Sequence, residues 1–247
     1  MLLTIDIGNS ATKLAFFEGG KIVRRRRFST IRDAVLSDFA DEVADLLNED
    51  IEGVAISSVV RELRDTYEEL ASESLAAPVM FVDHNSDLGF SINYDPPSDC
   101  GPDRLVAAHA AVLAAGIPVV VCDFGTATTI DLVTVNGYAG GTIAPGIETM
   151  ANSLFHNTSR LPKVEIGKAL KVVGNSTAGS IRSGIYFGYI GLVDGIISRM
   201  QSGLESLAPV VATGGYAELI AGESSYVDSH DPDLIHRGLH DIWQRNK

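Results

Sequence analysis

The sequence of 247 residues predicts an α/β protein made of two similar halves, each built on a mixed β-sheet with a β-β-β-α-β-α order of elements. Two observations support this prediction. The apolar run 2–5 leads into Asp6-Ile7-Gly8 and then into a second apolar run, and the run 117–121 leads into Asp123-Phe124-Gly125 in the same way. Both places are typical of a buried strand, a tight turn and a second strand.

The repeated pattern divides the chain into two predicted domains of ordinary size, residues 1–117 and residues 118–247. When the two patterns are aligned on Asp6 and Asp123, Thr12 and Thr129 also coincide. One Asp-x-Gly turn is weak evidence, whereas two in matching strand–turn–strand contexts favour a duplicated phosphate-binding core.

The elements of the first half follow from hydrophobic periodicity and turn residues. Glu18-Gly19-Gly20 predicts the turn of a second hairpin. Residues 83–103 read as a loop, and a loop of this length inside a domain is more often functional than idle. The predicted elements are three strands within 1–28, a helix over 31–48, a strand over 54–59, a helix over 61–75 and a strand over 79–82.

The second half repeats this order and contains one long helix, predicted over 177–202. Glycine costs about 1 kcal/mol relative to alanine in a helix interior. The glycine stripe of this helix therefore indicates close approach of another element, in internal packing or at a subunit interface; its members are Gly184, Gly188, Gly191 and Gly195. The other predicted elements are strands at 119–123, 129–135, 138–143, 210–212 and 226–227, and helices at 145–155 and from Pro232 onward.

Composition excludes several classes of protein. With 45% hydrophobic and 21% charged residues the chain is globular, and its net charge of -13 disfavours binding to nucleic acid or to an anionic membrane. Two cysteines form no disulfide framework, and the N-terminus lacks the features of a signal peptide, so we expect a cytoplasmic protein. His109 and Gly116-Ile117-Pro118 interrupt the apolar stretch 105–122, which favours a helix and a buried strand over a membrane span.

The two Asp-x-Gly turns have the chemistry of a nucleotide-phosphate site. Such turns present backbone N–H groups to an anion, and hydroxyl groups add donors at Ser10, Thr12, Thr126 and Thr128. Asp6 and Asp123 repel phosphate, but their oxygens suit magnesium or potassium. Lys13 either neutralises phosphate charge or faces outwards on its strand. Thr213-Gly214-Gly215, after a predicted strand, is either a resting place for adenosine or only a strand–helix turn.

Asp103 is the candidate general base. It follows the long loop, stands at a predicted helix start, and precedes Arg104, which can bind a substrate carboxylate. The alternative is that both residues only cap and decorate a helix. The histidines form no metal-binding pattern, and we expect His236 and His240 at the surface.

These motifs, taken together and in order, resemble those of the type III pantothenate kinases, a family in the superfamily of acetate and sugar kinases, Hsp70 and actin. The resemblance extends over essentially the whole chain and implies a duplicated ribonuclease H-like fold, also called the actin-like ATPase fold. The motifs are Asp6-Ile7-Gly8-Asn9-Ser10, Tyr94, Gly101-Pro102-Asp103-Arg104, Asp123-Phe124-Gly125-Thr126-Ala127-Thr128-Thr129, Gly140-Gly141-Thr142-Ile143-Ala144-Pro145-Gly146, Arg160-Leu161-Pro162, Ser183-Gly184-Ile185-Tyr186-Phe187-Gly188 and Ala212-Thr213-Gly214-Gly215.

The resemblance implies ATP-dependent phosphorylation of pantothenate to 4'-phosphopantothenate, the first step of coenzyme A biosynthesis. It implies Mg²⁺, a monovalent cation (K⁺ or NH₄⁺) at Asp123, proton acceptance by Asp103, and a homodimer with the substrate site at the subunit interface. The ATP-binding residues it implies are Asp6, Ile7, Gly8, Asn9, Ser10, Ala11, Thr12, Lys13 and Thr126. The pantothenate-binding residues it implies are Tyr94, Gly101, Pro102, Asp103, Arg104 and Thr177.

The chain departs from the family pattern at three places. Pro102 replaces a small residue, Ser10-Ala11 replaces Thr-Asn, and Gly174-Asn175-Ser176-Thr177 replaces Gly-Lys-Asn-Thr. Two alternative functions are a kinase for another small hydroxylated substrate and a non-catalytic accessory factor in gene regulation. The intact Gly101–Arg104 motif argues against the first, and retention of Asp6, Asp103 and Asp123 argues against the second.

Overall fold

The computed structural model describes residues 1–35, 38 and 50–247, which divide into two compact units. The first unit combines Met1–Ala110 with Asp233–Lys247, and the second unit is Ala111–Pro232. This division differs from the expected boundary after residue 117, because the C-terminal segment returns to the first unit. Most of the helix predicted over 31–48 lies outside the described residues.

The described residues form ten strands and six α-helices, numbered here in chain order. The strands are β1 (Leu2–Ile7), β2 (Ala11–Glu18), β3 (Lys21–Ser29), β4 (Gly53–Ser58), β5 (Val79–Phe81), β6 (Val119–Phe124), β7 (Ala127–Thr134), β8 (Gly137–Pro145), β9 (Val210–Thr213) and β10 (Ser229–His230). The helices are α1 (Arg64–Glu69), α2 (Pro102–Ala115), α3 (Ile147–His156), α4 (Thr177–Gln201), α5 (Ala217–Ala221) and α6 (Leu234–Asn246). A 3₁₀ turn at Arg61–Leu63 and a π-type turn at Leu70–Ser74 flank α1.

Each unit contains a five-stranded mixed sheet with the same topology. The orders are β3-β2-β1-β4-β5 in the first unit and β10-β9-β6-β7-β8 in the second. In both, an antiparallel three-stranded meander is extended by two parallel strands, so β1 corresponds to β6 and β4 corresponds to β9. The predicted duplication of a mixed-sheet α/β fold is confirmed. The strand predicted at Tyr226-Val227 is wrong, because the last parallel strand is β10.

The first sheet buries its two faces against different partners. Alternate side chains such as Ile5, Leu14 and Ile56 point to one face and join the apolar core, which includes Tyr67 and Leu70. The other face receives α6. Successive side chains of a strand point to opposite faces of the sheet. The even-numbered residues of β1, including the candidate Asp6, therefore lie on the face that α6 covers.

Helix α6 belongs to the first unit because specific contacts hold it there. The indole of Trp243 lies on Gly53, where an added Cβ would overlap the ring, and Phe17 stacks on His240 with ring centroids 4.6 Å apart. The imidazole of His236 is buried and its Nδ1 lies 2.9 Å from the hydroxyl of Thr4. The expected surface position of His236 is therefore wrong. The apolar side of α6 faces the first sheet, and His236 lies on that side of the helix.

The second unit packs its core between its own sheet and α4. Val120, Phe124 and Ile130 of the strands contact Val193 and Ile197 of the helix. Within the described part of the chain, no helix is both long enough and apolar enough to cross a membrane.

Candidate active site

The β1–β2 turn presents the first Asp-x-Gly motif at the end of a central strand. Asp6 pairs in register with Lys13, and Ile7 pairs with Thr12. The Gly8 N–H donates to the Ala11 carbonyl at 3.1 Å and closes the turn. Asn9 and Ser10 are exposed at its tip, so the backbone and the Ser10 hydroxyl are accessible to an anion.

The β6–β7 turn has the same geometry but is one residue shorter. Asp123 pairs with Thr129, Phe124 pairs with Thr128, and the Gly125 N–H donates to the Ala127 carbonyl at 3.1 Å. Thr128 is therefore the structural counterpart of Thr12, and the sequence match of Thr12 with Thr129 is off by one residue. An alignment of the two motifs on their aspartates cannot reveal this offset. The number of residues in each turn depends on which residues of its two strands pair.

The hydroxyl groups expected at phosphate fall into two groups. Thr12 and Thr128 are both buried; Thr12 bonds to Thr30 at 3.0 Å, and Thr128 bonds to Tyr189 of α4. These two hydroxyls fix their turns from within. Ser10 and Thr126 are exposed instead. Of these four residues, Ser10 and Thr126 are thus the two that lie at the surface.

The backbone carbonyl of Thr126 is held by the start of α3. It accepts the Gly146 N–H at 3.0 Å and the Thr149 hydroxyl at 2.7 Å. A Cβ at Gly146 would come within 2.6 Å of the Thr126 carbonyl oxygen, so only glycine allows this approach. The start of α3 therefore positions the β6–β7 turn, which explains the Pro145-Gly146 motif in physical terms.

Asp6 lies in a polar row that crosses the first sheet. Its carboxylate is largely buried and 3.4 Å from the Lys13 ammonium, which itself is partly exposed. On the other side Asp6 pairs with Ser57 of β4, and paired residues of neighbouring strands point to the same face. The Ser57 hydroxyl is fully buried and has no hydrogen-bond partner among the described residues.

His236 lies beside this row as a neutral side chain. Burial lowers the pKa of His236 to about 4, and the nearby Asp6 carboxylate opposes that shift. Because the Thr4 hydroxyl donates to the Ala15 carbonyl at 3.1 Å, it must accept the proton on His236 Nδ1. Lys13 is therefore the cation that faces Asp6, and His236 adds no charge near neutral pH.

Asp123 is placed at the end of β6 against the turn that follows β9. In register, Asp123 pairs with Thr213, and Gly214 follows with a positive φ of 95°. A Cβ at Gly214 would overlap the Asp123 carboxylate and approach the Phe124 nitrogen to 2.6 Å. The Thr213-Gly214-Gly215 turn thus packs directly on the Asp123 carboxylate. Neither interpretation of this turn from the sequence, as a resting place for adenosine or as a strand–helix turn, included this contact.

The Gly101-Pro102-Asp103-Arg104 motif forms the first turn of α2. The Arg104 N–H donates to Asp103 Oδ1 at 2.8 Å, which orients the carboxylate at the positive end of the helix. A Cβ at Gly101 would lie only 2.5 Å from the same oxygen. Glycine at this position therefore keeps the space beside the Asp103 carboxylate open.

Tyr94 and Arg104 come together although the loop separates them in sequence. The Arg104 side chain is buried, and its Cζ lies 5.5 Å from the centre of the Tyr94 ring. A cleft of about 420 Å³ adjoins Gly101 and Pro102, and Arg61 contributes to its wall. The cleft is of small-molecule size and borders the motif at Gly101 and Pro102, whereas Tyr94, Asp103 and Arg104 do not line it.

Thr177 is the exposed first residue of α4. The preceding Ser176 caps this helix, since its hydroxyl accepts the Gly179 N–H at 3.1 Å. A Cβ at Gly174 would lie 2.6 Å from the Gly179 carbonyl carbon, so the glycine permits the tight entry into the helix. Serine in place of the usual asparagine preserves the cap and hence the position of Thr177.

The predicted site residues are distributed over both units. The first unit holds the Asp6–Lys13 turn and the Tyr94, Gly101–Arg104 group; the second holds Asp123, Thr126 and Thr177. Sequence reasoning missed Ser57 and the packing of Gly214 on Asp123. A Ser-Ser pair at the end of a buried strand was the available signal for Ser57.

Comparisons with known proteins identify the family of this chain. A family model described as type III pantothenate kinase matches residues 2–199. A type III pantothenate kinase of Halalkalibacterium halodurans is 39% identical over the full length of both chains, and one of Dehalococcoides mccartyi (strain 195) is 40% identical over 100% of this chain and 98% of its own.

Solved structures show the same fold at low identity. A Campylobacter jejuni protein assigned to the Baf family of transcriptional activators has a TM-score of 0.64 at 20% identity, covering 99% of this chain and 98% of its own. A Streptomyces griseus ROK family glucokinase, solved with glucose and AMPPNP, has a TM-score of 0.56 at 13% identity, covering 97% of this chain and 98% of its own. The match to the family model and the relatives that align over their whole length show that this chain belongs to the type III pantothenate kinase family.

Proposed function

We propose that this protein transfers the γ-phosphoryl group of ATP to the terminal hydroxyl of pantothenate, producing 4'-phosphopantothenate at the start of coenzyme A biosynthesis. The observation that carries the proposal is the Gly101–Arg104 turn, in a chain that matches type III pantothenate kinases over their length. There the Asp103 carboxylate is oriented by the helix start and lies next to the Arg104 and Tyr94 pair.

Asp103 is the proposed proton acceptor for the pantothenate hydroxyl. Its Oδ1 accepts the Arg104 N–H, which orients the side chain, and an ionised carboxylate can accept several hydrogen bonds at once, including one from a hydroxyl group. Arg104 is the proposed ligand of the substrate's polar groups, with Tyr94, Gly101, Pro102 and Thr177 completing the pantothenate-binding set. Phosphoryl transfer of this kind depends mainly on positioning and electrostatics, so these contacts supply orientation more than covalent chemistry.

The proposed ATP-binding residues are those of the β1–β2 turn from Asp6 to Lys13, together with Thr126. Backbone N–H groups of the turn, the exposed Ser10 hydroxyl and the Lys13 ammonium are suitable partners for phosphate oxygens. Thr12 contributes indirectly, because its hydroxyl is buried against Thr30. The tip of the turn therefore makes the direct contacts with phosphate, and the base of the turn holds the tip in position.

The donors present fit weakly held, partly hydrated cations. Among the described residues, no cluster of three or more histidine, cysteine, aspartate or glutamate side chains can cage a metal. Mg²⁺ is ordinarily held by one or two carboxylates together with phosphate and water, and Asp6 with the orphaned Ser57 hydroxyl suits such a hydrated ion. When bound, Mg²⁺ offsets the charge on the phosphates; Asp123 is the proposed ligand of K⁺ or NH₄⁺.

Exchange of potassium for sodium is expected to lower turnover several-fold if Asp123 holds the monovalent cation. Sodium is smaller than potassium and prefers shorter distances to its oxygen ligands, and the Gly214 turn packs closely on the Asp123 carboxylate, which limits how far this ligand can shift. Initial rates with pantothenate and ATP at constant ionic strength test this. An Asp123→Asn variant should lose the difference between the two ions, and equal wild-type rates in potassium and sodium would remove the proposed role.

A homodimer is the proposed assembly, with the substrate site completed across the interface. Three glycines of the α4 stripe are exposed: apart from the backbone of its own helix, a Cβ at Gly184, Gly188 or Gly191 would meet no described atom within 4 Å. Packing against the described residues therefore does not explain these three glycines. The adjacent segment exposes Leu170, Val172 and Val173, which adds apolar surface of the kind that subunit interfaces bury.

A cytoplasmic location is proposed on the basis of charge and cysteine chemistry. The net charge is -13, and both cysteines, Cys100 and Cys122, are buried free thiols. Such thiols persist in a reducing compartment.

The test of the function is ATP-coupled turnover of purified protein with pantothenate against a panel of other hydroxy acids and sugars. Strong preference for pantothenate is the expected result. Preference for a different hydroxylated compound would favour the other-substrate kinase. Absence of turnover with every compound, while ATP still binds, would favour the non-catalytic regulatory factor.

A further inference from the structure

A short segment after β3 is fastened to the β1–β2 turn, which is the proposed ATP-binding turn. The Thr30 hydroxyl donates to the Gly8 carbonyl oxygen at 2.7 Å, and the Thr30 N–H donates to the Ser10 carbonyl oxygen at 3.2 Å. The same hydroxyl oxygen lies 3.0 Å from that of Thr12. Thr30 therefore contacts the turn at three places and fixes the start of the segment against it.

The far end of this segment is anchored in the first unit. Ala34 is buried in the apolar core, and its carbonyl oxygen accepts the Thr66 hydroxyl at 3.1 Å. Arg32 lies midway between Thr30 and Ala34 and is exposed. Because the backbone is held on both sides of it, Arg32 projects from a fixed position next to the turn.

The side chain of Arg32 reaches the tip of the turn. Its Nη2 donates to Oδ1 of Asn9 at 2.8 Å. A guanidinium group only donates hydrogen bonds, so the Asn9 atom that faces it is the carbonyl oxygen and not the amide nitrogen. The Nδ2 group of Asn9 has no partner among the described residues. The contact therefore leaves the donor end of the Asn9 amide available to an acceptor such as a phosphate oxygen.

The positive charge of Arg32 is not balanced by a carboxylate. Asn9 is neutral, and in the described part of the chain Arg32 forms no ion pair, even with the adjacent Asp33. Lys13, at the base of the same turn, lies 3.4 Å from the Asp6 carboxylate, which offsets its charge. A guanidinium group suits phosphate oxygens, because its N–H donors form a planar fork. Arg32 thus adds an uncompensated, phosphate-binding cation at the tip of the turn.

We propose that Arg32 is a further ATP-binding residue, which contacts the β- and γ-phosphates and holds Asn9 with its amide N–H groups directed at the same phosphates. Asn9 uses only one of the guanidinium N–H donors, so Arg32 can bind Asn9 and phosphate at the same time. The turn also carries Asp6, the proposed ligand of Mg²⁺, and in phosphoryl transfer the metal bridges the β- and γ-phosphates. The inference rests on the proposed ATP site and adds a residue that lies outside the family motifs.

Nucleotide titration by calorimetry, in the presence of Mg²⁺ and without pantothenate, tests the contact directly. Arg32→Ala should weaken ATP binding about tenfold, because charge-assisted hydrogen bonds to phosphate are lost. Arg32→Lys keeps the charge but loses the planar fork, and it should weaken ATP binding only about threefold. AMP lacks the β- and γ-phosphates, so its affinity should change by less than about twofold in both variants.

Arg237→Ala is the matched control, because Arg237 is an exposed arginine on α6 of the same unit. It should bind ATP as the wild type does, and all three variants should unfold at the wild-type temperature. Equal affinity for ATP in the wild type and Arg32→Ala would overturn the proposal. An equal loss of affinity for ATP and AMP would also overturn it, since that result would show only structural support of the turn.

Combining Asn9→Ala with Arg32→Ala tests whether Arg32 orients Asn9. If it does, part of the contribution of Asn9 is already lost in Arg32→Ala. The loss of ATP affinity in the double variant should then be smaller than the product of the two single losses. A loss equal to that product would reject the orienting role.

Steady-state kinetics separate this inference from the proposed function. In Arg32→Ala the KM for ATP should rise about tenfold, whereas the KM for pantothenate should stay within about twofold of the wild-type value. Failure of the wild type to phosphorylate pantothenate, together with ATP binding that depends on Arg32, would reject the proposed function and support the role of Arg32. Pantothenate turnover with an unchanged KM for ATP in Arg32→Ala would support the function and reject that role.

Discussion

Replacement of Asp103 by asparagine is expected to lower kcat by at least about 100-fold while ATP continues to bind. The asparagine carbonyl can still accept the Arg104 N–H that orients the Asp103 side chain at the start of α2. The amide, however, cannot take a proton from the pantothenate hydroxyl. The change therefore removes basicity and preserves shape, which makes it a direct test of the general base.

Steady-state kinetics and nucleotide titration by calorimetry measure the two halves of this prediction. Asp65→Asn is the matched control, because Asp65 is an exposed carboxylate in the first turn of α1 and lies outside the proposed site. The control should retain wild-type kcat, and both variants should unfold at wild-type temperature. A near-normal kcat in Asp103→Asn would exclude Asp103 as the base.

Replacement of Gly214 by alanine is expected to destabilise the second unit by about 3 kcal/mol or more and to abolish most activity. The residue has a φ of 95°, which L-amino acids with a side chain rarely adopt. The added Cβ would also press on the Asp123 carboxylate and on the backbone of Phe124. Because the obstacle is backbone, β6 itself would have to move, and the proposed cation ligand would move with it.

Gly215→Ala is the comparison for that variant, since a Cβ at Gly215 meets no described atom within 4 Å and its φ is not positive. Its unfolding free energy should stay within about 0.5 kcal/mol of the wild type. Denaturant titration with intrinsic fluorescence and circular dichroism measures both variants. Equal stability of Gly214→Ala and Gly215→Ala would show that the turn adapts without strain.

Much of the fold was predictable because local signals are strong in this chain. Buried central strands such as β1 and β6 read as apolar runs, and the turns after them are marked by Asp-x-Gly. The helix of α2 was predicted from Pro102 and Asp103 at its first turn. The short parallel strand β10 was misplaced, because a two-residue edge strand has almost no sequence signal of its own.

Other features depended on contacts between residues distant in sequence. The pairing of Asp6 with Ser57, the packing of Gly214 on Asp123, and the approach of Tyr94 to Arg104 each join separate segments. The burial of His236 was missed for the same reason. A histidine on a helix gives no indication of which sheet face the helix will cover.

The sequence by itself determined the duplicated α/β fold, the family, and the identity of the chemical groups, since strand patterns and motif spacing are local properties of the chain. Only the tertiary structure decided which hydroxyls are exposed, that α6 packs on the first sheet, and that Arg32 contacts Asn9 at the tip of the β1–β2 turn. The physical reason is that burial and hydrogen bonding at these residues are set by strand register and helix packing, which bring together groups that the sequence keeps far apart.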